Sequence, residues 1–298
     1  MRVLNFGSLN IDYFYKVDHF VQKGETQASD MLNVYAGGKG LNQSVALSRA
    51  GAEVYHAGMI GVDGTFLKEM LKDAGVNTEY VEKSQNIRTG HAIIQNDSMG
   101  DNCIILYGGA NQAITREIAD NVMKNFNSGD WLILQNEISE IPYIAEKAAE
   151  KGMKIFLNPS PMNDKIFEIN LDCIDCFILN EGEGKALAGL QQSDGDALIK
   201  QLREQFPHAE IVLTLGENGS VYAGKDGIVW QDAYRADAVD TTAAGDTFTG
   251  YFMAGRLHGM PVKEALTMAS KASALAVSKK GAALSIPTRK EVLEFEVK

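Results

Sequence analysis

Short apolar runs alternate with longer amphipathic segments along most of the chain. The runs of strand-like composition are Val3 to Phe6, Trp131 to Leu134, Lys154 to Leu157, Phe177 to Leu179 and Ile211 to Leu215. Between them, apolar residues recur at helical spacing, as in Ile144, Ala145 and Ala148. This alternation predicts an α/β fold in which a doubly wound sheet is flanked by helices.

Two stretches interrupt the alternation. In residues 13–36 and 90–107, apolar and polar residues follow one another in turn, which is typical of half-exposed strands. No linker rich in proline, glycine or serine sets them apart, and there is no internal repeat. We therefore predict a single domain over residues 1–298, with these two segments inserted as a small β-strand lid.

The charge balance bears on possible partners. The 298 residues include 28 Lys and Arg against 39 Asp and Glu, for a formal net charge of -11. This excess repels nucleic-acid phosphates and anionic membrane surfaces, and no apolar stretch is long enough to span a bilayer. Three cysteines fit a reduced compartment better than a disulfide framework. The expectation is a cytoplasmic protein that binds neither nucleic acid nor membranes.

The strongest local motif is the segment from Asp240 to Phe248, which reads DTTAAGDTF and precedes a helix-compatible run. Small residues at a helix start expose backbone N–H groups that can hold an anion, and the helix dipole adds positive potential. A carboxylate there, Asp246, can accept a proton from a hydroxyl while the N–H groups stabilise a transferring phosphoryl group. The alternative is that Asp246 only caps the helix.

Polar residues near the N-terminus suggest a surface for a sugar. Ser8, Asn10 and Asp12 alternate with apolar residues, so an extended backbone places them on one face. A carboxylate and an amide can hold several hydroxyls in fixed directions, although a turn at a strand end is an alternative. Further on, the segment GGKGLNQ would bring Lys39 and Asn42 close to a ligand.

Other nucleotide-binding motifs do not fit. Gly40 stands where a Walker A loop carries the serine or threonine that holds magnesium, and the chain lacks a dinucleotide fingerprint. Three polar pieces follow predicted strands instead, namely Asn136-Glu137, Asn180 to Glu183 and Thr214 to Gly219. Ligands bind at the carboxyl ends of strands in open α/β sheets, but each piece alone also fits an ordinary helix start or turn.

Together and in this order, the motifs resemble the ribokinase branch of the PfkB carbohydrate kinase family from Gly7 to Ala282. The resemblance implies a ribokinase-like fold whose β lid often serves as a dimer clasp, and hence a homodimer. It also implies Asp246 as the catalytic base, with an anion hole formed by Ala243, Ala244 and Gly245.

The resemblance further implies four sets of ligand-binding residues. The sugar contacts, besides Asp246, are Asn10, Asp12, Gly38, Lys39, Asn42 and Glu137. The ATP contacts are Asn180, Thr214, Gly216, Gly219 and Gly245. Glu183 would organise Mg²⁺ indirectly. An activating K⁺ would be held by the loops that carry Asp240, Thr242, Ala276, Lys279, Gly281 and Ser285.

Three positions depart from the family pattern. Leu41 stands where ribokinases commonly have alanine, Asp101-Asn102 replaces a frequent Glu-Asn on the lid, and Ser270 lies where an adenine-side asparagine is often found. Leu41 and the lid could reshape the sugar pocket, whereas Ser270 would affect only the contact with the base.

The resulting functional prediction is a kinase that transfers the γ-phosphoryl group of ATP to a primary hydroxyl of a furanose sugar. D-Ribose, phosphorylated at O5, is the first expectation. Fructose, deoxyribose, adenosine and pseudouridine remain alternatives, since lid aromatics such as Phe14, Tyr15 or Phe20 could stack on a base. A sugar-binding regulator without turnover is the alternative from a different class.

Overall fold

The computed structural model of the protein describes residues 1–99 and 101–295. Gly100, within the predicted lid, and residues 296–298 of the predicted domain lie outside the described residues. The strands are, in chain order, β1 (Val3–Phe6), β2 (Asn10–Lys16), β3 (Met31–Gly37), β4 (Val54–Ile60), β5 (Val81–Lys83), β6 (Gly90–Asn96), β7 (Asn102–Tyr107), β8 (Trp131–Gln135), β9 (Lys154–Asn158), β10 (Cys176–Asn180), β11 (Glu210–Thr214), β12 (Ser220–Gly224) and β13 (Gly227–Gln231).

The helices surround the larger of two sheets. They are α1 (Lys39–Arg49), α2 (Thr65–Asp73), α3 (Arg116–Met123), α4 (Ile141–Glu150), α5 (Glu181–Ala188), α6 (Gly195–Gln205), α7 (Ala244–Leu257), α8 (Val262–Val277), α9 (Ala282–Ser285) and α10 (Arg289–Leu293).

Nine strands form the main sheet in the order β13-β12-β11-β10-β9-β8-β1-β4-β5. The pairs from β11 to β5 are parallel, and β12 and β13 extend one edge in antiparallel fashion. Because the central strands are parallel, their carboxyl ends meet at one edge of the sheet. The predicted α/β fold is confirmed, and this edge is where the predicted polar pieces come together.

The main sheet is buried on both faces, as its apolar strands predict. Along β8, Trp131 and Ile133 pack into one hydrophobic cluster with residues of α1, α7 and α8. Leu132 and Leu134 point into a second cluster with residues of α3, α4, α5 and α6. Helices on both sides therefore hold the sheet, and α1 and α7 lie on the same side.

Helices α1 and α7 pack unusually closely. An added Cβ at Gly250, in the middle of α7, would overlap Ala46 of α1 and lie 2.8 Å from the Leu47 nitrogen. The glycine thus allows the two backbones to approach. This close approach brings the first turns of both helices to the same point above the main sheet.

A separate four-stranded sheet has the order β3-β2-β6-β7 and contains both predicted lid segments. It begins at Asn10 rather than at residue 13, because Asn10 already pairs with Gly37 and Gly90. The edge strand β7 is exposed along its whole length. No helix among residues 1–99 and 101–295 is long and apolar enough to pass through a bilayer.

Candidate active site

The predicted site residues gather along the carboxyl edge of the main sheet. The sugar side consists of the predicted contacts on β2, after β8 and at the start of α1. The nucleotide side consists of the predicted contacts after β10 and β11, which are neighbouring strands with Asn180 opposite Thr214. The start of α7 carries Asp246.

Asp246 lies in the first turn of α7 and is buried. Its Oδ1 accepts a hydrogen bond of 2.9 Å from Gln43 Nε2, and its Oδ2 accepts one of 2.9 Å from Asn42 Nδ2. The residue that caps α7 is Ala243, without any side-chain hydrogen bond to the helix. The alternative that Asp246 only caps its helix is therefore wrong, since its carboxylate is held by two amides of α1.

The three residues predicted to form an anion hole make up the turn that begins α7. Ala243 adopts a left-handed conformation with φ of 63°, and the Ala244 N–H donates to the Thr241 carbonyl at 3.2 Å. A Cβ added at Gly245 would meet no atom within 4 Å, so the first turn borders open space. Helix starts carry N–H groups without intrahelical acceptors; here the Ala244 N–H is engaged by Thr241, and the open space lies beside Gly245.

Glu137 links the end of β8 to the start of α1. Its Oε2 accepts hydrogen bonds from Ser8 Oγ and, at 3.0 Å, from the Lys39 N–H. Burial raises the pKa of the Glu137 carboxyl, and the Lys39 charge and these hydrogen bonds offset part of that shift. Gly38 caps the N-terminus of α1 immediately before Lys39.

The Lys39 ammonium lies among three carboxylates. Burial favours loss of its proton, but the negative charges of Asp246, Glu137 and Glu183 outweigh burial and raise the pKa of Lys39. Lys39 therefore stays charged. Its positive charge interacts with carboxylates of both the sugar side and the nucleotide side.

Asn10 and Asp12 lie on β2 and face the same way, as their alternation predicts. Asn10 Oδ1 accepts a 2.7 Å hydrogen bond from Asn111 Nδ2, and Asn111 Oδ1 accepts one of 3.0 Å from the Leu9 N–H. Burial, reinforced by the charge of Glu137, raises the pKa of Asp12 to about 7. Asn111 was missed by sequence reasoning, because no motif or periodicity marks it.

The nucleotide side is held mainly by local interactions. Asn180 and Glu183 form a capping box at the start of α5, with hydrogen bonds of 2.8 and 2.9 Å between them. Thr214 Oγ1 donates to the Leu179 carbonyl at 3.2 Å. Gly216 and Gly219 both have positive φ, 58° and 86°. Asn180, Thr214, Gly216 and Gly219 therefore lie on two adjacent strand ends.

Two loops carry the predicted K⁺ residues, and Asp240 joins them. Its Oδ1 accepts from the Thr242 N–H at 2.9 Å and its Oδ2 from the Gly281 N–H at 3.0 Å. In the second loop the Lys279 N–H donates to the Ala276 carbonyl, and the Ser285 N–H donates to the Gly281 carbonyl. The Lys279 ammonium instead pairs with Glu291 at the surface. Asp240 therefore ties the loop before α7 to the loop between α8 and α9.

The residues that depart from the family pattern lie in different environments. Leu41 has no exposed surface and belongs to the same hydrophobic cluster as Leu9 and Ile11, so the expectation that it reshapes the sugar pocket stays a prediction. Ser270 is buried on α8. Asp101 is exposed at the start of the lid hairpin, where its N–H donates to Asp97.

Comparisons with known proteins agree on one relationship. Residues 2–289 match the model described as pfkB family carbohydrate kinase. The ribokinase of Staphylococcus aureus is 35% identical over 302 residues, covering 98% of both chains.

Two solved structures are similar over nearly the whole chain. The Cryptococcus neoformans ribokinase in complex with ADP has a TM-score of 0.85 and 34% identity, covering 98% of this chain and 99% of that one. The Arabidopsis thaliana ribokinase complexed with ribose and ATP has a TM-score of 0.87 and 29% identity, covering 99% of both.

Proposed function

The chain belongs to the pfkB family of carbohydrate kinases, and on this basis we propose that it transfers the γ-phosphoryl group of ATP to O5 of D-ribose. It is a phosphotransferase that acts on an alcohol group. Ribokinases are similar to this chain over almost its whole length, and one of them was solved with ribose and ATP. These relatives support ribose as the acceptor.

One observation carries the proposal at the level of chemistry. The Asp246 carboxylate is buried at the start of α7, with Asn42 donating to one of its oxygens. The same helix start borders open space at Gly245. A carboxylate beside an anion-binding helix start can take the proton of an attacking hydroxyl while the N–H groups stabilise the charge on the transferring group.

The sugar side supplies the groups that would hold the acceptor. Asn10 and Asp12 offer an amide and a carboxylate on one face of β2, and Glu137 lies across from them near Lys39. Hydroxyls both donate and accept, so this mixture of acceptors and donors can fix several of them at once. The Lys39 ammonium, kept charged by its carboxylate neighbours, would stabilise negative charge that develops between sugar and nucleotide.

The nucleotide side would hold ATP and its metal. We assign the loops at Asn180, Thr214, Gly216 and Gly219 to the nucleotide. Mg²⁺ usually keeps several waters of its shell, so Glu183 would hold it through water, using Oε1 because its Oε2 accepts from the Asn180 N–H. Among the described residues no group of three His, Cys, Asp or Glu is placed to hold a metal.

We further propose that K⁺ occupies the loops joined by Asp240. A bound cation there would fix the loop that leads into Ala243 and the start of α7. Activity should be several-fold higher in potassium than in sodium buffer of equal ionic strength. Equal rates in both salts would remove this assignment.

We propose a homodimer formed through the lid sheet. Ile104, Ile105 and Leu106 on β7 are 55%, 61% and 49% exposed, and an apolar edge strand of this kind favours association. Ile105→Lys should convert the dimer to a monomer in light scattering, whereas Ile228→Lys, at an apolar position of β13 that is 52% exposed, should not. A monomeric wild type, or a dimeric Ile105→Lys variant, would contradict the proposal.

We also propose a cytoplasmic location, because Cys103, Cys173 and Cys176 are all free thiols and reduced thiols are typical of that compartment. Cell fractionation with a periplasmic or secreted marker as reference tests it. Recovery of the protein with that marker would overturn it.

The test of function is ADP release with Mg-ATP and potassium across ribose, deoxyribose, fructose, adenosine and pseudouridine. Ribose should give the highest kcat/KM. A higher value for another acceptor keeps the mechanism and changes the substrate. Binding of a sugar without ADP release would favour a regulator, and the proposed function would then be wrong.

A further inference from the structure

A buried network of side-chain amides contacts the Asp246 carboxylate. Gln43 has no exposed surface, and its Nε2 donates to Asp246 Oδ1 at 2.9 Å and to Asn158 Oδ1 at 3.2 Å. Asn158 Nδ2 in turn donates to the Ile178 carbonyl at 2.9 Å. Gln43 thus connects Asp246 to the ends of β9 and β10.

The oxygen atom of the Gln43 amide also has a hydrogen-bond partner. Its Oε1 accepts a 2.8 Å hydrogen bond from Gln135 Nε2, which also donates to Asn5 Oδ1 at 3.1 Å. Asn5 is held by its own donation to the Gly40 carbonyl at 2.8 Å. Because an ionised carboxylate only accepts, the amide must present N–H to Asp246 and its oxygen to Gln135. The orientation of Gln43 is therefore fixed at both ends.

The two oxygens of Asp246 consequently have different surroundings. Oδ1 faces Gln43 within the protein interior, whereas Oδ2 faces Asn42, which retains 4% exposure and belongs to the sugar side. Asn42 Oδ1 is buried without a hydrogen-bond partner in the described part of the chain. Oδ2 therefore lies on the side of the predicted sugar contacts.

We propose that Gln43 is a positioning residue for phosphoryl transfer, fixing Oδ1 of Asp246 so that Oδ2 points at the hydroxyl to be deprotonated. Gln135 and Asn158 keep Gln43 in place. A small displacement of a reacting group can cost about a hundredfold in rate, so a carboxylate free to rotate would be a poorer base even with substrate fully bound. The inference rests on the proposed function of Asp246 as base.

A purely structural role for the same network is the competing explanation. Buried amides are costly unless paired, and the network also attaches α1 to the main sheet. Ser44 distinguishes the two roles, because it belongs to the network without contacting Asp246. Its Oγ accepts from Asn5 Nδ2 at 2.8 Å and lies 2.8 Å from His56 Nδ1.

The experiment compares Gln43→Met with Ser44→Ala. Methionine keeps the length of the side chain and removes the amide. We expect kcat to fall about 30- to 100-fold, with KM for sugar and ATP within about threefold of wild type. Both variants should lower the melting temperature by similar amounts. Ser44→Ala should nevertheless keep kcat within about twofold, because Asn5 retains its bond to Gly40.

Several results decide the matter. Wild-type kcat in folded Gln43→Met, or an equal loss of kcat in Ser44→Ala, would overturn the proposal and leave the network a packing role. If Gln43→Met does not fold, Gln135→Met is the second variant; it removes the donor to Gln43 Oε1 and to Asn5 Oδ1 but leaves the contact of Gln43 with Asp246 in place. Its kcat should fall about tenfold at unchanged KM, and an unchanged kcat would also count against the proposal. A wild type without kinase activity would refute the proposed function instead.

Discussion

The sugar side of the site is built from side chains, whereas the nucleotide side is built largely from backbone turns. On the sugar side the hydrogen bonds join distant parts of the chain, such as Asn42 with Asp246 and Lys39 with Glu137. On the nucleotide side, Asn180 bonds Glu183 three residues away, and Gly219 contributes a turn.

This difference predicts how the two sides respond to substitution. A side chain held by long-range bonds carries both the chemistry and its geometry, so its loss affects turnover or sugar affinity directly. A backbone turn tolerates changes of side chain and is sensitive only to changes of conformation. The predictions below test this contrast in order of expected effect.

The largest effect is expected from Asp246→Asn, which keeps the shape of the side chain and removes the base. We expect kcat to fall on the order of a thousandfold, with sugar affinity by calorimetry within a few-fold. Asp130→Asn is the control, since Asp130 is also buried but pairs with Arg2 away from the site. A drop of only a few-fold in kcat for Asp246→Asn would remove the proposed base.

A smaller effect is expected from pH on sugar binding. The pKa of Asp12 is about 7 in the free protein, raised by burial, so its ionised fraction falls as the pH drops through this value. If the carboxylate accepts from sugar hydroxyls, the sugar KM should rise about tenfold from about pH 8 to about pH 6.

The variant Asp12→Asn provides the control for that pH dependence. It should bind sugar more weakly and lose the dependence between the same limits, because the amide does not titrate in this range. A sugar KM that stays flat in the wild type, or falls with acidity, would show that Asp12 does not bind sugar in its ionised form.

The smallest effects concern the nucleotide side. Gly219 has φ of 86°, and an added Cβ would overlap the Gln231 carbonyl and lie 2.8 Å from the Ala233 nitrogen. Gly219→Ala should raise the ATP KM about fivefold and cost about 1–3 kcal/mol of unfolding free energy. Thr214→Ala, which loses one hydrogen bond to a carbonyl, should change the ATP KM by about twofold at most. A larger effect for Thr214→Ala would reverse the contrast between the two sides.

Much of this arrangement could be predicted from local patterns. Strands β1 and β8 to β11, the small sheet and the start of α7 follow from apolar spacing and from small residues at one helix start. Asn5, Asn111 and Gln135 could not be found in this way, because each matches no motif and its partners lie far along the chain, as between Gln135 and Gln43, 92 positions apart. Only the strand order makes them neighbours.

Leu41 shows a different limit of motif reasoning. Its place within a motif suggested an effect on the sugar pocket, and the structure adds that its side chain has no exposed surface and belongs to the hydrophobic core. A motif gives the chemistry of a segment, and the period decides which of its members face the ligand.

The hydrogen bond between Asn42 and Asp246 spans 204 positions of the chain. During synthesis, roughly ten to forty seconds separate the emergence of its two ends from the ribosome at typical elongation rates. Throughout that interval α1 has no α7 to pack against, and the polar start of α1 has no carboxylate to bind. Nascent chains that stop before α7 should therefore be inactive and prone to capture by chaperones. The active site can form only after α7 has been synthesised.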